Sequence, residues 1–156
     1  MKDVMSGLDL RAIASELQVM VGAHCRKSYQ PHYEQVVLRL RTKEGGNSDL
    51  VLIRGKRIYL SKRDRPMPQN PAPFAMVLRK SLSNARLRTI EQIGYDRILK
   101  FVFEKPFGMF HIYVEVFRDG NIILTDGDDV IIQPLTHKSY ADRVLKRGVV
   151  YTPPPA

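Results

Sequence analysis

The sequence predicts an α+β fold, two antiparallel sheets packed face to face as a β-sandwich with helices at the ends. Three observations carry that prediction. Short β-rich runs recur along most of the chain, and turn-forming residues separate them. These runs fall into two β-rich halves. A stretch with helical apolar spacing precedes each half.

The first helix is expected from about Leu8 to Met20, because Leu10, Ile13, Ala14, Leu17 and Val21 recur on one helical face. Ser6-Gly7-Leu8-Asp9 fits a capping box at its start, and Gly22 supplies the left-handed residue that ends it. Strand-like runs follow at Cys25–Tyr29, Gln35–Arg41, Leu50–Arg54 and Arg57–Leu60. In the second run Val36, Leu38 and Leu40 alternate with Val37, Arg39 and Arg41, giving an apolar face and a face that turns basic. Glu44-Gly45-Gly46-Asn47 reads as the turn between two antiparallel strands.

Residues 64–73 carry four prolines, which excludes regular structure and predicts a surface loop. Asn70 is the expected cap of a second helix, with Pro71 at its first position and Phe74, Val77, Leu78 and Leu82 as its apolar stripe. Five further strands are expected at Leu87–Ile93, Ile98–Glu104, Phe110–Phe117, Asn121–Thr125 and Val130–Gln133, with Asp119-Gly120 as a two-residue hairpin turn. A short third helix is expected over Ser139–Lys146. One globular domain over residues 1–150 follows, with 151–156 as the start of a proline-rich linker.

Charge is the first functional clue. The chain of 156 residues carries a formal net charge of +9. Residues 1–65 hold 13 basic and 7 acidic side chains, residues 66–118 hold 8 and 4, and residues 119–156 hold 4 and 5. Such an excess attracts polyanions, and it also serves solubility. Two basic groups stand out: Arg54, Lys56, Arg57, Lys62, Arg63 and Arg65 around one hairpin, and Arg79, Lys80, Arg86 and Arg88 further on. They are candidate contacts to RNA phosphates, and equally a solvated sheet edge. Tyr29, Tyr33, Tyr59 and Tyr95 are candidates for stacking on unpaired bases, against a half-buried structural role.

Other chemistry is poorly supported. No apolar run is long enough to cross a bilayer, and no signal peptide opens the chain, so no membrane partner and a cytoplasmic address are expected. His24, His32, His111, His137 and Cys25 lack metal-ligand spacing, and Cys25 lacks a base and an orienting group, so neither a metal nor an enzymatic thiol is expected. No cofactor is indicated. Asp9 is explained by the helix start, and Asp96-Arg97 by a turn with an exposed ion pair.

Several stretches, in their order and spacing, nevertheless resemble the N-terminal domain of the NFACT family. They are Leu8-Asp9, Tyr29-Gln30-Pro31, Leu38-Arg39-Leu40-Arg41, the segment from Pro73 to Leu82, the segment from Ile90 to Ile98, the segment from Asn121 to Asp126, and Tyr151 to Pro155. The resemblance implies a fold like the N-terminal domain of formamidopyrimidine-DNA glycosylase. It also implies ribosome-associated quality control, in which the full-length protein holds tRNA on a large ribosomal subunit with a stalled nascent chain and supports C-terminal tailing. Such a module is an adaptor and not an enzyme. Its tRNA-binding residues match Asp9, Asp96 and Arg97, which reverses the turn reading of Asp96-Arg97 and leaves both readings of Asp9 open. The family's coiled-coil middle and further RNA-binding domain are not among these 156 residues, so the remaining domains of the full-length protein are expected partners. A glycosylase-like enzyme and an adhesin-type protein-binding module are the alternatives. Glycosylases of that fold use an N-terminal proline amine, whereas this sequence starts Met1-Lys2.

Overall fold

A computed structural model describes residues 5–63, 65–94, 97–117 and 120–155. The first helix, α1 (Gly7–Glu16), starts as its sequence requires. The Ser6 hydroxyl accepts from the Asp9 amide at 3.1 Å, and the Asp9 carboxylate accepts from the Ser6 amide at 2.9 Å. This closes the capping box and satisfies two amides that a helix start leaves orphaned. A tighter 3-10 turn over Leu17–Met20 completes the expected span, and Gly22 follows at φ +98°.

The strands are β1 (His24–His32), β2 (Gln35–Arg41), β3 (Asn47–Ile53), β4 (Arg57–Ser61), β5 (Arg86–Gln92), β6 (Ile98–Lys105), β7 (Gly108–Glu115), β8 (Ile122–Asp126) and β9 (Ile131–Pro134). Their hydrogen-bonded order is β4-β3-β2-β1-β5-β6-β7-β8-β9, all described neighbours being antiparallel. As a hydrogen-bonded unit this is one sheet, not the two expected from sequence. Its two halves join at the pair His24↔Arg86, which Cys25 N–H to Ala85 O and Leu87 N–H to Ala23 O extend. No local pattern marks that junction, because the partners lie some sixty residues apart in the chain.

Both halves feed one apolar cluster. Leu38, Leu40, Leu50 and Leu52 from the first pack with Phe101, Phe103, Ile112 and Val114 from the second. The helix α1 adds Leu10 and Ala14, and the second helix, α2 (Pro73–Leu82), adds Phe74, Leu78 and Leu82. The halves also meet between their turns: the Gly55 amide donates to Glu115 O at 3.0 Å, and Arg54 Nη1 donates to Thr136 Oγ1 at 3.0 Å.

Three expectations need correction. The helix α2 begins at Pro73 and not at Pro71, with Ala72 as its cap residue and no side-chain capping bond from Asn70. Proline disfavours helical torsions in the residue before it, so Pro73 holds Ala72 extended at ψ 160° and delays the helix by two positions. Ser139–Lys146 does not form a helix; β10 (Lys138–Ser139) pairs with β11 (Val144–Leu145) instead. Burial of Leu145 and the attachment of Arg143 to Glu115 override the local propensity. The connection from β7 to β8 runs over 116–121, longer than the expected two-residue turn, and Asp119 lies outside the described residues.

Tyr151, where the linker is expected to start, packs against the domain. Tyr151 is buried, its ring stacks on Tyr113 at 4.0 Å, and its hydroxyl donates to Glu115 Oε2 at 2.8 Å. Thr152, Pro153 and Pro155 after it are exposed.

Candidate functional site

The turn of the β5–β6 hairpin is held from both sides. The Ile93 amide donates to Ile98 O at 3.0 Å, and the Val116 amide donates to Arg97 O at 2.7 Å. The backbone of Arg97 is thereby tied to the end of β7. Gln92, at the base of the same hairpin, donates from Nε2 to Gly7 O at 3.3 Å, so the hairpin docks on the first turn of α1, which also carries Asp9. Helix start and hairpin share an open cleft lined by Gly7, Leu8, Arg11, Gln92 and Gly94. On its other flank α1 forms with β4 a cleft of about 470 Å³ lined by Met5, Asp9, Ile13, Glu16, Arg57 and Tyr59. The elements bearing Asp9 and Arg97 thus come to one end of the domain. Asp96 and Tyr95 lie outside the described residues.

The basic candidates separate by their partners. Arg54 and Lys56 both face Glu34, at 3.9 and 3.5 Å, which offsets part of their charge. Arg57 faces the cleft beside α1, and Lys62 and Arg63 are exposed after β4. Arg65 Nη2 donates to Ser61 Oγ at 3.1 Å. Arg88 pairs with Glu104 at 3.5 Å, whereas Lys80 and Arg86 are exposed. Arg79 is anchored: its Nε donates to Ser28 O at 2.8 Å, and its guanidinium lies 5.2 Å from the Tyr29 ring centre. Arg39 covers the same ring, also at 5.2 Å, while held by Asp49 at 2.9 and 3.1 Å. Tyr29 is therefore enclosed and Tyr59 half-buried, while Tyr33 stays exposed on its surface.

Sequence reasoning missed Arg11, Arg26 and Lys27. Strand alternation would point Arg26 and Lys27 to opposite faces, but a register shift between Cys25 and Lys27 leaves both exposed. An adjacent basic pair in a strand is the one local signal of that bulge.

Among the described residues, the titratable groups with a clear pKa shift are buried or hydrogen-bonded to one another. Burial pushes the Cys25 thiol up to about 11, against a small opposing effect of Ser28, so it is protonated at neutral pH. Asp129 accepts from Tyr113 Oη at 2.6 Å and lies 2.8 Å from His111 Nδ1. Burial alone would raise its carboxyl, and the bonds from Tyr113 and His111 outweigh that and hold it low. Among the described residues no group of three His, Cys, Asp or Glu side chains is placed to hold a metal ion. No described helix is long and apolar enough to cross a membrane.

The fold and this surface define an α+β sheet domain with a basic face and one end where a helix start meets a charged hairpin. The chain belongs to the NFACT family: residues 6–156 match its N-terminal and middle domains. It is 36% identical to the archaeal Rqc2 homolog aRqcH of Methanocaldococcus jannaschii, over 99% of this chain and 24% of that protein. It is 34% identical to the human ribosome quality control complex subunit NEMF, over 89% of this chain and 13% of that protein. The chain thus spans a quarter or less of these relatives. Among solved structures it is similar to the N-terminal domain of the fibronectin-binding protein PavA from Streptococcus pneumoniae, with a TM-score of 0.86 and 28% identity over 96% of this chain and 62% of that one. The N-terminal part of the fibronectin/fibrinogen-binding protein of Streptococcus suis gives a TM-score of 0.89 at 28% identity, over 97% of this chain and 62% of that one.

Proposed function

We infer that this chain is the tRNA- and large-subunit-binding module of a cytoplasmic ribosome-associated quality control factor that acts on stalled nascent chains and supports their C-terminal tailing. It works as a recognition surface without catalysis of its own. The similarity to ribosome quality control subunits across nearly the whole chain supports the reading. The single structural observation that carries it is the docking of the Arg97 hairpin on the first turn of α1 through Gln92 and Gly7. A folded RNA is met best by charges carried on a fixed frame, and the Arg97 backbone is held by Val116 within a hairpin that docks on α1. Arg97 donates to a phosphate or base edge, while Asp96 orients it or accepts from a base amino group. Asp9 shapes the same end through the capping box.

Reversal of both charges, Asp96→Lys with Arg97→Glu, tests this. Loss of tRNA binding with an unchanged Tm supports the assignment. Unaltered tRNA binding sinks it, and a large fall in Tm reassigns the couple to folding.

A second reading rests on the names of the similar structures, which are of fibronectin- and fibrinogen-binding proteins. Saturable binding of fibronectin at physiological salt, unaffected by competing tRNA, would favour it. Nothing in the site favours a glycosylase-like activity, and a lesion-cleavage assay should be blank.

A further inference from the structure

The basic residues of this domain are not equivalent, because pairing removes some of them from any field seen by a ligand. Arg39 pairs with Asp49, Arg54 and Lys56 with Glu34, Arg88 with Glu104, Lys100 with Glu91, and Arg143 with Glu115. Among the described residues no carboxylate ion-pairs with Arg26, Lys27, Arg79 or Lys80. Arg26, Lys27 and Arg79 come together where β1, at the junction of the two half-sheets, packs on the last turn of α2, and Lys80 follows Arg79 on that helix as an exposed residue. Between them lies a small cleft of about 210 Å³, lined by Cys25, Arg26, Lys27, Ser28, Arg79 and Ser83.

The cleft has the features of a phosphate seat. Arg79 is fixed through Nε and by its stacking on Tyr29, while no described residue bonds its two terminal nitrogens. A guanidinium held in this way offers a planar fork to an anion at little entropic cost. The bulge in β1 adds Arg26 and Lys27 side by side, and Arg26 is steadied by Nη1 donating to Asn84 Oδ1 at 3.4 Å. Arg86, in register with His24 on one side and Glu104 on the other, adds an exposed guanidinium beside the junction.

Distance then sets the size of the ligand. Arg86 opens β5 and Gln92 closes it beside the Arg97 hairpin. Six residue steps of extended chain separate the two ends by roughly 20 Å. We propose that the Arg26–Lys27–Arg79–Lys80 junction is a second anion site that takes backbone phosphates of an RNA helix, about one strand length from the Arg97 end. The proposal rests on the reading of this chain as an RNA-binding module. Phosphates carry no sequence information, so the junction supplies affinity and orientation, and any selectivity resides at the Arg97 end.

The test measures salt-dependent binding of the chain to a blunt RNA duplex and to a transfer RNA. It compares the native protein with Arg26→Gln/Lys27→Gln, and with Arg97→Glu as a separate variant. Loss of two phosphate contacts should lower the slope of log K against log salt by about 1–2 for both RNAs and weaken binding about three- to tenfold near physiological salt. If the exposed double variant does not fold, Lys80→Gln/Arg86→Gln repeats the measurement beside the same junction. An unchanged slope for both RNAs overturns the proposal. Equal binding of an acidic peptide, lost in the same variant, also overturns it by making the junction a protein-docking surface. The two readings fail separately: tRNA bound through Arg97 with a slope indifferent to the junction sinks only the second site. A full slope change with Arg97→Glu silent sinks only the first.

Discussion

Glu115 and Arg143 form a two-pronged ion pair in the interior, with Arg143 Nη1 at 2.7 Å and Nη2 at 3.0 Å from the two carboxylate oxygens. Their side chains are 0% and 4% exposed. Arg143→Met leaves Glu115 buried with only the Tyr151 hydroxyl for company, which should cost about 3–5 kcal/mol in denaturant unfolding. Replacing both residues by apolar ones should cost less than that single change, because no buried charge remains. Glu115 directly precedes Val116, whose amide holds Arg97, so Arg143→Met should also weaken hydrogen-exchange protection at Val116.

The phenols of the same region give the alkaline limit of stability. Burial, followed by the hydrogen bond to Asp129, raises the Tyr113 phenol above its ordinary 10.0. Burial and the Glu115 charge raise Tyr151 in the same direction. A group whose pKa is raised on folding stabilises fully below its unfolded value and loses that contribution as pH climbs beyond it. Stability should therefore be level near neutrality and fall above pH 10.0, the ordinary phenol value. Ultraviolet titration should find two tyrosines that ionise only with unfolding, and one fewer in Tyr151→Phe.

Gly55 and Gly120 join the two half-sheets by backbone contact alone. A Cβ at Gly120 would overlap Glu115 O and sit 2.5 Å from Gly55 N and 2.6 Å from Gly55 Cα, and all three atoms belong to packed backbone. Gly120→Ala should be destabilised by about 3 kcal/mol or more, since the atoms its Cβ would meet are backbone and cannot swing aside. Gly127→Ala, which meets a Met109 Cβ at 3.3 Å, should lose far less. Equal Tm values for the two variants would refute this account of the junction.

Much of the element order was legible because the strands are short runs rich in β-branched, aliphatic and aromatic residues and most turns carry their own chemistry. Val36, Leu38 and Leu40 enter the main core, while Val37 joins a separate cluster with Tyr29 and Val51 on the other face, as the alternation in β2 requires. Apart from the start of α2, which Pro73 sets locally, the main missed features depend on partners distant in sequence. Nothing local says that Arg143 will leave a helix-prone stretch for Glu115, or that His24 will meet Arg86. Arg26 and Lys27 were missed because a bulge breaks the alternation on which the reading relied. For the candidate site, the residue types were legible, but the docking of Gln92 on Gly7 was not.

Asp129 gives the acid limit and separates charge from shape. It holds φ +64°, a torsion that suits asparagine as well as aspartate, so Asp129→Asn keeps the turn and removes the charge. Burial works against the ionised carboxyl, but the bonds from Tyr113 and His111 prevail and hold its pKa below the ordinary 3.8. A depressed carboxyl stabilises above its unfolded value and loses that contribution as pH falls through the folded one. The native chain should therefore lose stability as pH drops below 3.8, and Asp129→Asn should flatten this part of the acid limb. With the side chain 34% exposed, solvent screens the charge and the loss at neutral pH should be only about 1 kcal/mol. His111→Phe removes the other partner and should reproduce part of the same flattening while Tyr113 remains bonded. An acid limb that is identical in Asp129→Asn and the native chain would assign the acid sensitivity to carboxylates other than Asp129.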